Sequence, residues 1–384
     1  HPTEEQLDEA RRVLGFNEPL VKQYINYISN IFQGDLGVSL RTKQPVVIEL
    51  ATRFPATFEL VTISIAMDLV EDGLLKVNDP VIKYIPEFND IQVAVLEESG
   101  LDLSPEYVLG KPPPHRLVKP HRAITIHDLL THTSGIATYG LGMAVADWKW
   151  KQGESLASWI PKIASGPLDY QPGARWAYSP TVGLDIVARI IEIVSGMEFD
   201  DLVQRKIFDP LGMRDTHWHL PDHKTSRLVF VEESHKKLYS GPKKGLDVPE
   251  GYFSGSIGLM STALDYLRFQ EMLLNEGVLD GHRVLAEESV KRMCGNRMDI
   301  PYTSKGGDEG LGFGYTVEVT LDPLKSANFR TKGAHGWEGY FGTISWTEPE
   351  IGLAAVILVQ SIPRKTFSIK DFHNEVCEAL HASL

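Results

Sequence analysis

Between residues 57 and 71, Phe58, Val61, Ile65 and Leu69 recur at three- and four-residue spacing. That stripe predicts a largely buried helix, and Gly73 just beyond it suits a C-terminal cap. Similar spacing predicts helices over 4–14, 18–33, 125–132, 155–164, 181–195, 198–207, 262–275, 286–294 and 365–382. Runs rich in β-branched residues gather late and predict strands at Gly314–Leu321, Thr343–Thr347 and Ile351–Gln360. Residues 38–50 are open between two structures. Val38–Arg41 and Val46–Leu50 suit the arms of a hairpin, whereas Val47, Leu50, Ala51 and Phe54 suit one face of a short helix ending before Pro55. Helices in the middle and antiparallel strands at the end predict an α+β fold, a sheet flanked by helices beside a mostly helical region.

Charge narrows the partners. The chain has 384 residues and a formal net charge of −13, which would repel phosphate backbones and anionic headgroups, so neither nucleic acid nor a membrane surface is expected. Cys294 and Cys377 are its two cysteines, which allow at most one internal disulfide and no cysteine-built metal cluster. The opening HPTEEQLDEARR lacks a basic start and an apolar run, and the most membrane-like stretch, Leu60–Val70, is short and carries Asp68. The expectation is a soluble, cytoplasmic protein without metal or cofactor; oligomeric state is left open.

Five stretches then follow in order: LVEDGLLKVNDPVIKYIPEF at 69–88, ITIHDLLTHTSGI at 124–136, the block WAYSPTVGLDIVARIIEIVSG and onward at 176–216, SGSIGLMSTALDYLRFQEMLL at 254–274 and HGWEGYFGTISWTEPE at 335–350. On these, residues 67–384 resemble the serine β-lactamase and penicillin-binding-protein superfamily, nearest to class C β-lactamases and family VIII carboxylesterases. The resemblance implies a β-lactamase-like fold that hydrolyses ester or amide bonds of a small-molecule substrate. Residues 1–66 differ. Their sequence, most specifically GDLGVSLRTKQPV, resembles an extracytoplasmic stretch of dipeptide or oligopeptide ABC-transporter permeases. The junction falls inside the 57–71 helix, which implies a chimera. A retained permease function would need membrane helices, which the hydropathy pattern does not supply. In relatives the replaced front adds strands beside the C-terminal one, so residues 1–66 are expected to shield the edge of Ile351–Gln360.

The junction matters for chemistry. The family resemblance implies a serine and, one helical turn later, a lysine that helps to deprotonate it. Aligned back from Leu69-Val70, those positions hold Ala56 and Glu59, and alanine has no nucleophile. Ser234/Lys237 and Ser240/Lys243 repeat the spacing in loop-like sequence and lack the helix. Tyr178-Ser179 matches the family's tyrosine–serine, with Tyr178 the implied base or proton shuttle, Ser179 at the substrate, and Pro180 where many relatives have asparagine. A phenol of pKa ~10 is a poor base unless neighbours assist it.

Trp337-Glu338-Gly339 stands where family VIII esterases have tryptophan–glycine–glycine, which implies that Trp337 and Gly339 line the substrate site. A carboxylate at Glu338 would oppose a developing oxyanion. His335, two residues earlier, is a candidate acid or base. The catalytic set expected is therefore Tyr178, His335, Glu338 and Glu59. His217, His219 and His223, with Asp222 as a weak further ligand, would suit a metal, or else flank a buried Trp218. His132 is expected to satisfy backbone groups. Two functions stand opposed: a hydrolase with a substituted constellation, and a catalytically silent protein that binds a ligand in the old cleft.

Overall fold

A computed structural model describes residues 59–97, 112–138, 140–148, 151, 153–229, 251–302, 309–326, 328–339, 342–359 and 369–383. The chain divides into two units, His1–Ala51 and Thr52–Leu384, and the described residues all belong to the second. The elements expected over 4–14, 18–33 and 38–50, the shield they were to form, and both Ser-x-x-Lys pairs lie outside the described residues.

Helix α1 (Glu59–Glu71) is the axis of the helical part. Leu60, Val61, Ile63, Ile65, Ala66, Met67 and Leu69 are all buried, and so are Thr62 and Ser64. A helix apolar on nearly every side belongs in a core, because any other placement would leave one side facing water. Its buried hydroxyls find acceptors: Thr62 Oγ1 donates to Gly255 O at 2.6 Å and Ser64 Oγ to Leu60 O at 2.7 Å. Gly73 ends it at φ +71, a conformation that glycine adopts without steric cost.

Six further helices follow along the chain: α2 (Ile126–Leu130), α3 (Leu141–Val145), α4 (Leu156–Ile163), α5 (Val182–Ser195), α6 (Phe199–Val203) and, after a longer interval, α7 (Ala263–Leu274). Then come α8 (Glu287–Cys294) and, at the C-terminus, α9 (Ile369–Ser383). Helix α1 packs on α5, α6 and α8. After α6 the chain continues through a π turn, Gln204–Phe208, into Asp209–Leu211.

Two short ribbons, β1 (Val93–Leu96) with β2 (His115–Val118) and β3 (Val278–Leu279) with β4 (His282–Arg283), stand apart from the main sheet. That sheet is an antiparallel meander of β5 (Leu311–Phe313), β6 (Glu318–Thr320), β7 (His335–Glu338), β8 (Ile344–Glu348) and β9 (Leu353–Ile357), paired in chain order. It corrects one expectation. Residues 314–317, predicted to lie in a strand, form the β5–β6 turn, closed by Gly314 N–H donating to Val317 O at 2.8 Å, with Thr316 at φ +63. A Cβ on Gly314 would meet Met293 O at 2.5 Å, so this close approach excludes the β-branched continuation that the neighbouring residues suggest.

The two faces of the sheet are covered by different helices. Helix α7 lies against β8 and β9, where Gln270 donates to Ser345 Oγ at 3.2 Å and accepts from Thr347 Oγ1 at 2.8 Å. On the other face Ile344 and Trp346 pack with Cys377, Val376 and Leu380 of α9.

The segment that carries the LTHTSG sequence is fastened by Asp128. Its carboxylate accepts both Arg122 guanidinium nitrogens at 2.5 and 2.7 Å, together with the N–H and Oγ1 of Thr125 at 2.8 and 2.7 Å, closing a capping box at the start of α2. Burial alone would raise this carboxyl's pKa, but Arg122 and Thr125 hold it below the ordinary aspartate value. A lowered pKa stabilises the fold above the ordinary value, and that stabilisation is lost as pH falls through the folded value. Asp128→Ala should therefore cost about 3 kcal/mol near neutral pH. Urea melts of the variant and the parent should converge in acid. An equal gap at both pH values would contradict this role.

Candidate active site

Glu59 opens α1 with a fully buried side chain. Its Oε1 accepts the Tyr178 hydroxyl at 2.7 Å, and its Oε2 lies 3.4 Å from His132 Nε2. The other imidazole nitrogen, Nδ1, accepts the Ser179 backbone N–H at 3.4 Å, which leaves Nε2 as the nitrogen that carries hydrogen and donates to Glu59. A buried carboxylate thus meets one donor from each of two distant segments. Burial still pushes the Glu59 carboxyl above its ordinary value, with His132 and Tyr178 pulling it part of the way back.

Those segments are locked to each other. His132 sits at φ +54, an uncommon conformation for a non-glycine residue. Its carbonyl accepts Ala177 N–H at 3.0 Å and the Tyr170 hydroxyl at 3.3 Å. The rings of His132 and Tyr178 meet edge to face at 4.8 Å. Tyr178 also meets Trp337 at 5.6 Å, and Trp337 meets Phe313 at 5.2 Å. Trp176 stacks beyond Tyr178 and touches Tyr302 at 4.9 Å. The half-buried Trp176, Tyr178 and Trp337 form an aromatic wall beside the buried carboxylate, a surface suited to an apolar acyl or aryl group.

The other expected site residues fall elsewhere. Ser179 is buried, and its Oγ accepts Gly183 N–H at 3.2 Å in the first turn of α5, so it holds the helix start. Gly339 donates its N–H to Thr343 O at 2.6 Å and accepts from Gly342 N–H at 3.0 Å; both its backbone groups serve the β7–β8 turn. Glu338 pairs with Ile344 and shares the α9 face, where its charge bears on His373 of α9. Strand alternation places it on the opposite face from Trp337.

His335 shares Trp337's face and is buried. Its Nδ1 donates to Gly333 O at 3.1 Å, while Nε2 has no partner among the described residues. Burial pulls its pKa down to about 4, so the ring is neutral at pH 7 and a weak base. Ala56 lies outside the described residues.

The three histidines of 217–223 do not converge. His217 Nε2 faces the Lys224 ammonium at 3.0 Å, a cation where a metal would need space, and burial lowers its pKa. His219 packs on Phe253. Trp218 is buried and donates Nε1–H to Ser254 O at 3.2 Å. The sequence reading missed His132 as a partner of Glu59, and the 73 residues between them leave no local signal for it.

The Glu59 pKa predicts a sign. An acid whose folded pKa is raised contributes stability at low pH that is lost as pH rises through the folded value. Glu59→Gln removes that titration. The variant's melting temperature should therefore gain on the parent's as pH rises from the ordinary carboxylate range towards neutrality. A difference that does not change with pH would show that Glu59 is not held out of water. His335 works in the opposite direction. Its depressed pKa implies that the parent loses on the order of 3 kcal/mol between about pH 6.5 and 4, and His335→Asn should blunt that loss in acid urea titrations.

Comparison with known proteins places the chain in a family. A family model described as Beta-lactamase matches residues 41–377. The match begins at residue 41, so it includes part of the 1–66 stretch expected from its sequence to be foreign to the family. Protein Rv1367c of Mycobacterium tuberculosis is 31% identical over 318 residues, covering 79% of this chain and 75% of that protein. Esterase EstB of Burkholderia gladioli is 26% identical over 319 residues, covering 76% and 73%. The unliganded structure of simvastatin synthase (LovD) from Aspergillus terreus superposes with a TM-score of 0.66 at 19% identity, covering 86% of this chain and 83% of that one. The chain belongs to the Beta-lactamase family, and its fold is the β-lactamase-like fold of helices around an antiparallel sheet.

Proposed function

We propose that this chain hydrolyses ester or amide bonds by activating water directly, with Tyr178 and Glu59 acting as a proton relay. One observation carries the reading: the Tyr178 hydroxyl donates to the buried Glu59 carboxylate at 2.7 Å. Water bound to Tyr178 Oη attacks the carbonyl carbon. As the C–O bond forms, water gives a proton to Oη while the phenol proton passes to Glu59 Oε1. On collapse of the tetrahedral intermediate the leaving group takes a proton from Tyr178, which recovers one from Glu59. Protons balance, and no acyl-enzyme forms, because the serine position is Ala56. The raised Glu59 pKa suits a general base near neutral pH. The aromatic wall supports an apolar substrate, and the esterase named among the relatives supports ester bonds. His335 and Glu338 stay outside the relay in this reading. The permease-like sequence of residues 1–66 accounts for the replaced serine and lysine as a fusion.

A second reading, a ligand-binding protein without turnover, is favoured by Ala56 and by the way Glu59, Tyr178 and His132 satisfy one another. Chromogenic ester and cephalosporin assays on the full chain separate the two. Glu59→Gln and Tyr178→Phe should each lower kcat/KM by about a hundredfold or more, whereas His335→Asn should leave it within a few-fold. A fluorophosphonate should add no mass to the chain. A stoichiometric adduct would restore a nucleophile and overturn the water mechanism. Absence of any turnover would establish the binding reading instead.

A further inference from the structure

On the sheet face away from Trp337, three side chains of metal-ligating type converge. Glu348 ends β8, while Cys377 and His381 lie one turn apart on α9. His381 Nε2 is 3.0 and 3.1 Å from the two Glu348 carboxylate oxygens. Cys377 Sγ is 3.8 Å from the same Nε2 and 3.9 Å from Glu348 Oε1. Among the described residues this is the one group whose ligand atoms lie mutually within 4.8 Å. From these contacts we propose a zinc-type divalent metal site made by Glu348, Cys377 and His381, which ties the C-terminal helix to the sheet.

The spacing fits the ion. Tetrahedral zinc, with bonds of about 2.3 Å to sulfur and 2.0 Å to nitrogen or oxygen, separates its ligand atoms by about 3.3–3.5 Å. The observed separations bracket those values, so small side-chain movements suffice. A thiolate, an imidazole and a carboxylate together also favour zinc over magnesium or calcium, which take all-oxygen sets.

The same three residue types could instead form a cysteine–histidine–glutamate proton relay, but a relay uses both ring nitrogens, one for each partner. Here thiol and carboxylate both approach Nε2, which is convergence on a point. Glu348 is also braced from behind: Thr331 N–H and Oγ1 donate to Oε2 at 2.8 and 2.9 Å, and Trp346 Nε1–H to Oε1 at 2.9 Å. Supports of this kind orient a ligating carboxylate.

Glu348 and Cys377 are buried, and the His381 side chain is 28% exposed. The ion would enter past His381 and keep a water on that side as its fourth ligand. Glu348 and Glu378 add negative charge around the thiol and Arg330 adds positive. Burial pushes the free thiol up to about 11, so binding displaces its proton to solvent. The imidazole hydrogen moves to Nδ1, freeing the Nε2 lone pair for the metal.

The test uses the full chain, stripped with chelator and desalted, then titrated with cobalt(II) as a spectroscopic substitute for zinc. A thiolate-to-cobalt charge-transfer band should saturate at one ion per chain and be bleached by zinc. Cys377→Ser should abolish the band, and Cys294→Ser should retain it. His381→Ala takes a partner from the buried Glu348 carboxylate and should lower the metal-free melting temperature. Calorimetry run well below that temperature should show zinc binding weakened by at least about tenfold. No band, a band that survives Cys377→Ser, or unchanged zinc affinity in His381→Ala would each overturn the proposal. None of these readouts depends on hydrolysis, so the site stands or falls apart from the relay.

Discussion

A carboxylate closed off from water must either meet donors or give up its charge. Glu59 stands under that constraint at the first turn of the central helix. Its two donors arrive from 73 and 119 residues further along the chain. To deliver them, the fold must hold His132 in a left-handed turn and Tyr178 in the segment beside it. Asp128 with Arg122 secures the first, and the Ala177 and Ser179 N–H groups, both donating to His132, secure the second. In relatives with a lysine at this position, by the resemblance, the same phenol would face a cation. Here Tyr178 faces a carboxylate instead and donates to it at 2.7 Å.

Much of the helical part was legible in the sequence because long amphipathic or wholly apolar periods have few alternatives. The stripe of Phe58, Val61, Ile65 and Leu69 and the cap at Gly73 are local signals, and α1 follows them. Strands of three to five residues carry less information. Residues 314–317 look like strand by side-chain type, but a backbone approach to Met293 at Gly314 makes them a turn. The strand β7, four residues including a glycine, has no periodicity of its own and owes its conformation to pairing with β8.

Of the catalytic set expected from the sequence, Tyr178 and Glu59 meet, while Glu338 lies on the other face of the sheet. Positions 59 and 178 followed from motif alignment, which depends on order along the chain. That His132 reaches Glu59 depends on a long-range contact. Trp337 and Glu338 are adjacent in sequence, yet strand alternation sends them to opposite faces of the sheet. The Glu348, Cys377 and His381 group was hidden for a similar reason, since 29 residues separate the carboxylate from the thiol. The sheet thus carries two chemistries on two faces: an aromatic wall leading to Glu59 on one, and a sulfur–nitrogen–oxygen cluster on the other.

In the proposed relay the buried Glu59 carboxylate receives the proton that Tyr178 passes on. The most direct measurement is the pH dependence of kcat/KM for a chromogenic ester, recorded for the parent chain and for Glu59→Gln. With that relay, the parent's rate falls on the acid side through one ionisation lying above the ordinary glutamate range, and this limb is missing from the residual activity of the variant. An acid limb that persists unchanged in Glu59→Gln would contradict it.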